Sequence, residues 1–130
     1  MKKQEKEIII GQNRLHLRED NILHETMVGY IDHKTAIELY QASSQLRSMV
    51  DGKVNVLTNI ENIVTADPKS LDVAKAAIED EKVRKIAFVG KNPIAVFVAA
   101  QFMGTTQKTN MAFFKTEEEA LKWLKMRDTE

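Results

Sequence analysis

Lys85-Ile86-Ala87-Phe88-Val89-Gly90-Lys91-Asn92-Pro93-Ile94 is the stretch whose reading decides the fold. Ile86 to Val89 is continuously apolar, the pattern of a short strand covered on both faces. Gly90-Lys91-Asn92 turns it directly into Pro93, and proline suits the first helical position, where its missing N–H costs nothing. A helix is predicted from Ile94 to about Thr105. A strand that runs straight into a helix is the repeating unit of a parallel sheet.

The same grammar recurs on both sides. Upstream, Asp67-Pro68 opens a helix in the same way, with Leu71, Ala74, Ala77 and Ile78 as its buried stripe. Val54 to Leu57 is the strand before it, and Asn59 to Ala66 reads as a longer connection. Earlier still, Asp32 caps a helix from about His33 to Val50, whose inner face carries Ala36, Leu39, Ala42, Ser43, Leu46, Met49 and Val50. Asp51-Gly52 closes it. Downstream, Met111 to Phe114 is the last strand. Thr116 and Glu119 form a capping box that opens a final helix through Arg127. Acids Glu117 to Glu119 lie at its start and Lys122, Lys125 and Arg127 toward its end, complementing the helix dipole.

The chain opens differently. Ile8-Ile9-Ile10 and Leu15-His16-Leu17 read as one strand with a bend or bulge at Gly11-Gln12-Asn13. Arg18 to Asn21 is a turn, and Ile22 to Tyr30 returns as the second strand of a hairpin. Residues 1–6 are charged and unpatterned, a flexible N-terminus; residues 7–130 form a single domain. The predicted order is ββαβαβαβα: an α/β fold with a five-stranded, mixed but mostly parallel sheet and four helices.

Composition narrows the function. There are 130 residues and no cysteine, so disulfides, thiolate metal sites and thiol nucleophiles are excluded. Lys+Arg and Asp+Glu are each 19, and a balanced chain lacks the cationic excess of a general nucleic-acid binder. The longest apolar stretch, Ile94 to Met103, is about half of what a membrane span requires. The first residues do not read as a signal peptide, and the protein is expected to be cytoplasmic.

Four stretches resemble one family. Gly29-Tyr30-Ile31-Asp32 is similar to the Gly-x-Leu-Asp that leads from the second strand into the first helix of STAS domains, the anti-sigma-factor-antagonist type. Lys85 to Pro93, Phe113-Phe114-Lys115-Thr116 and Glu119-Ala120-Leu121-Lys122-Trp123-Leu124 follow in the order of the SpoIIAA-like (STAS/SEC14-type) branch. The resemblance implies helices packed mainly on one face of a small sheet, and a protein that works by binding rather than by chemistry. It also implies a phosphorylated serine at the start of the second helix. Here Thr65-Ala66-Asp67-Pro68-Lys69-Ser70 stands in place of the expected Asp-Ser-Ser/Thr-Gly-Leu. Thr65 and Ser70 are the nearest hydroxyls, and Ser70 is either a phospho-switch or a solvent-facing first-turn serine.

Three other places carry chemistry-bearing residues. Gly90, Lys91 and Asn92 lie between a strand end and a helix start, where α/β proteins bind anions, although Walker and dinucleotide motifs are absent. His16 and His24 could face each other across the hairpin; with His33 they read as exposed imidazoles, and no metal site is expected. The helix after Pro93 is apolar nearly all round. If Ile94, Phe97 and Val98 face the sheet, Val96, Ala99, Ala100 and Met103 are left for neighbouring helices, a homodimer or an apolar ligand. No nucleophile–base–acid set can be assembled and no cofactor is expected. The sequence therefore reads as a non-enzymatic module binding a protein partner or itself, or alternatively as a carrier of a small apolar, lipid-like ligand.

Overall fold

The computed structural model describes residues 6–126. Six strands and four helices follow in the order β1 (Glu7–Ile10), β2 (Asn13–Leu17), β3 (Ile22–Ile31), α1 (His33–Arg47), β4 (Val54–Ala66), α2 (Pro68–Ile78), β5 (Val83–Val89), α3 (Pro93–Met103), β6 (Met111–Phe114) and α4 (Glu117–Leu124). The strands lie in the sheet in the order of the chain. β1–β2 and β2–β3 are antiparallel; β3–β4, β4–β5 and β5–β6 are parallel. A right-handed crossover that always advances in one direction lays each helix on the same face. Accordingly α1, α2 and α3 share one core with Leu23, Val56, Ile60, Ile86 and Phe88. α4 follows the last strand and covers the other face, where Ala120 and Leu124 bury Ile22, Leu57, Ala87 and Val89.

The mixed sheet and four helices agree with the sequence reading, but there are six strands, not five. Gly11 takes a positive φ of 60° while Gln12 does not, the pattern of a two-residue hairpin turn. Ile10 therefore pairs with Asn13, and the expected bulge is a reversal of direction. The second difference is in β4, which continues through Asn59 to Ala66, where a connection was expected. Its register with β3 slips between Thr26 and Val28 and again at Gly29–Tyr30, so the apolar alternation is broken there. Asn13 repairs the first slip: its side-chain oxygen accepts from the Val28 N–H at 2.8 Å and its amide donates to the Ile10 carbonyl at 3.1 Å.

The helix starts are as read. Asp32 accepts from the Thr35 N–H at 2.7 Å, Asp67 from Lys69 at 2.9 Å, and Thr116 from Glu119 at 3.2 Å. α1 ends at Arg47 and α4 at Leu124, earlier than expected; Arg127 lies outside the described residues, as do residues 1–5 of the expected flexible terminus. Lys6 accepts a backbone hydrogen bond from Leu17. Leu57 is fully buried beneath α4. Leu57→Ala should destabilise the domain by about 2–5 kcal/mol in urea unfolding; a loss below 1 kcal/mol would contradict close packing there.

Candidate functional site

The carboxyl ends of the parallel strands and the amino ends of α1, α2 and α3 meet at one end of the sheet. Glu61, on β4, organises it. Its Oε1 accepts from the backbone N–H of Lys91 at 2.6 Å and of Asn92 at 3.2 Å, and the Asn92 side-chain amide also donates to Glu61. These hydrogen bonds, from Lys91 first, hold the Glu61 carboxyl below its ordinary value of 4.5. The Gly90-Lys91-Asn92 turn thus does bind an anion, but the anion is the protein's own glutamate. Asn92 in turn caps α3 by accepting from Ala95 at 2.8 Å.

Gly90 fixes the rotation of α3. A Cβ built there would stand 2.6 Å from the Ala95 Cβ, so only glycine lets Ala95 face the sheet. The buried face is consequently Ala95, Val98, Ala99 and Phe102, with Met103 packed partly against the core. This corrects the expected rotation. Ile94 and Phe97, expected against the sheet, are exposed, Phe97 by 63%. Of the expected contact surface, Val96 and Ala100 remain outside while Ala99 is in the core.

Other apolar side chains crowd the same end. Val64, near the end of β4, is 59% exposed, and Tyr30, near the end of β3, is 55% exposed. Tyr30 pairs in register with Thr65, so Val64 and Tyr30 belong to adjacent positions of neighbouring strands. Ile37, on the second turn of α1, is also exposed. Partial desolvation and then the nearby Asp67 carboxylate, which accepts its hydrogen bond, raise the Tyr30 hydroxyl above 10.0. Asp32 is held low by its hydrogen bonds to Thr35.

Thr65 is exposed at this end, but Ser70 is not. Ser70 is 2% exposed and its hydroxyl donates to the Asp67 carbonyl at 2.5 Å, so the solvent-facing reading of it does not hold. Burial also keeps its oxygen from an approaching kinase. Its helical position predicted a first-turn serine; only the packing of α1 over α2 shows it is covered. The histidines part company as well. His16 and His24 are register partners, yet α4 lies over that face, and the His24 Nε2 is 2.9 Å from a Glu117 oxygen that also accepts from Asn59 at 2.8 Å. Burial opposes ionisation of Glu117, but the hydrogen bonds from Asn59 and His24 outweigh it and hold the carboxyl below 4.5. Among the described residues no cluster of metal-ligating side chains is found, and no helix is long and apolar enough to cross a membrane.

Sequence reasoning missed Glu61, Tyr30 and Val64. The available signal was weak: Glu61 stands among Asn59, Asn62 and Thr65 in a mixed segment read as connection.

A SpoIIAA-like family model matches residues 22–125. The chain belongs to the SpoIIAA-like family. Its fold is that of an uncharacterized DUF3478-family protein with a SpoIIAA-like fold from Shewanella loihica PV-4, at 15% identity over 86% of this chain and 91% of that one, TM-score 0.64. It is also that of the anti-sigma factor antagonist SpoIIAA in its unphosphorylated form, at 16% identity, 86% and 96% coverage and TM-score 0.61. The Bacillus cell fate determinant SpoIIAA in its phosphorylated form gives 16%, 87% and 99%, and 0.62. No curated protein matches the sequence.

Two outcomes follow from the clamp. Gly90→Ala should destabilise the fold by about 1–3 kcal/mol, because Ala95 or the α3 axis must move; an unchanged urea midpoint would refute the close approach. Glu61 has a lowered folded carboxyl, so its stabilisation is present above 4.5 and is lost as pH falls through the folded value. The melting temperature of the wild type should therefore exceed that of Glu61→Gln near neutrality, with the gap closing below pH 4.5. A gap independent of pH would show that the charge of Glu61 has no part in it.

Proposed function

We propose that the protein is a non-catalytic regulatory module that binds a protein partner through the end of the sheet where α1, α2 and α3 begin. The observation that carries this is the collection of large apolar side chains left uncovered there. Ile94, Val96 and Phe97 stand on α3, with Val64 and Tyr30 on the neighbouring strand ends. Burying such side chains against a partner is favourable by about 25 cal/mol per Å² of apolar surface, and aromatic residues commonly anchor protein interfaces. The relatives support the class of partner: SpoIIAA is an anti-sigma factor antagonist, a protein defined by its action on another protein's regulator. The Ser70 phospho-switch is not part of this reading, because its hydroxyl is buried and engaged. Thr65, exposed beside Val64, is an accessible hydroxyl at this face. Regulation by the partner or by modification would act in the cytoplasm.

Self-association is the competing occupant. A photo-crosslinking residue at position 97 should trap one defined, different protein in the source cells, and not when placed at Lys122 on α4. The purified partner should bind the wild type at least about tenfold more tightly than Phe97→Glu. If the trapped mass is the chain itself, and light scattering shows a dimer that Val96→Glu converts to a monomer, the homodimer replaces this reading. Equal trapping at both positions would overturn the docking face.

A further inference from the structure

On the three-helix face the core contains polar groups that an apolar core does not need. Arg47, on the last turn of α1, is 3% exposed. Its Nη1 donates to the Ala77 carbonyl and to Asp80, each at 3.1 Å, which ties α1 to the end of α2. Its Nε–H has no partner, and neither does the hydroxyl of Ser43, one turn earlier and 3% exposed. Glu25, on β3, is buried opposite them; its Oε1 accepts only a long hydrogen bond from Thr58, at 3.3 Å. No cation lies within ion-pair distance of Glu25 among the described residues. Leaving such groups dry and unpaired is costly.

These groups surround empty space. One cavity of about 60 Å³ is walled by Ser43, Arg47, Glu25 and Ser70, with Leu39 and Phe102. A second of about 60 Å³ shares Arg47, Glu25, Met27 and Phe102 with the first and continues toward Thr58 and Ile86. Each has room for roughly two water molecules at about 30 Å³ apiece, and the two together approach the bulk of a small organic molecule and fall far short of a long-chain lipid. The free donors are Arg47 Nε and Ser43 Oγ; the under-used acceptor is Glu25. The remaining wall is apolar apart from Arg14, Thr26, Tyr40 and Ser70 in the first cavity and Thr58 in the second.

We propose that this space is a binding site for a small amphiphile whose head offers both an acceptor, to Arg47 and Ser43, and a donor, to Glu25, on a short apolar body. A purely anionic head would face Glu25, and a purely cationic one would face Arg47. A zwitterion such as an apolar α-amino acid, with its carboxylate toward Arg47 and its ammonium toward Glu25, meets both. So does a neutral primary amide. The site is separate from the docking face, and its occupancy does not depend on the partner.

The test is calorimetric titration of the full chain with L-leucine, with hexanamide and with benzene as a guest without a head. Saturable binding of leucine or hexanamide, in preference to benzene, is expected. Ser43→Ala, which removes a hydroxyl that bonds nothing in the fold, should weaken that binding about five- to tenfold. Glu25→Gln keeps the shape and removes the charge, so it should weaken leucine but spare hexanamide, identifying which head the site takes. Circular dichroism of both variants checks that they fold, and either one suffices to locate the site. Binding of benzene alone overturns the proposal. So does the absence of binding by any probe at millimolar concentration, with ordered waters filling the space in a crystal structure. Unchanged affinity in both variants places the binding elsewhere and overturns it as well.

Discussion

The carboxylate of Glu61 and the bare backbone of Gly90 together determine how α3 meets the sheet, and much else depends on that contact. Two backbone N–H groups at the start of a helix would otherwise need water or a ligand. Glu61 satisfies them from the neighbouring strand, while Gly90 lets the Ala95 methyl enter the space a side chain would occupy. With those two points fixed, a helix repeating every 3.6 residues has no rotational freedom left. Ala95, Val98, Ala99 and Phe102 must face inward, and Ile94 and Phe97 must face out. The apolar surface proposed for docking is therefore a by-product of a polar clamp.

The two faces of the sheet are held differently. Beneath α4 the core is small, and it is bounded by polar fastenings: His24 and Asn59 on Glu117 at one end, Lys85 on the Trp123 carbonyl and over its ring at the other. Beneath α1 to α3 the core is larger and mostly apolar, yet it encloses Arg47, Glu25 and Ser43 around open space. Charges of both signs inside one cavity are expensive unless something bridges them. That expense distinguishes the cavity from an ordinary packing void, which would be lined by aliphatic side chains alone.

Local signals in the sequence were strong where one residue type has one physical use. Asp67-Pro68, Asn92-Pro93 and Thr116 with Glu119 mark helix starts because capping is a short-range interaction between neighbours in the chain. The continuous apolar run of β5 announced burial on both faces, which the structure shows. The misreadings came where a residue has two uses. Gly11 serves a bulge or a reversal, and only the antiparallel pairing of β1 with β2 shows it to be a reversal. β4 past Leu57 mixes polar and apolar residues, so its period is lost although β3 continues to pair with it.

Composition and spacing by themselves determined the fold class, the four helices and the absence of thiol chemistry, because each follows from interactions within a few residues. They also contained the periodicity that places Arg47 four residues after Ser43 on the inner face of α1, although a charge on that face carries no meaning until its surroundings are known. Tertiary structure alone decided which side of α3 is covered, that Ser70 is sealed and that Glu61 occupies the turn after β5. Each of these joins groups about 30 residues or more apart in the chain or depends on such a contact, and no short-range rule can supply the geometry that brings them together.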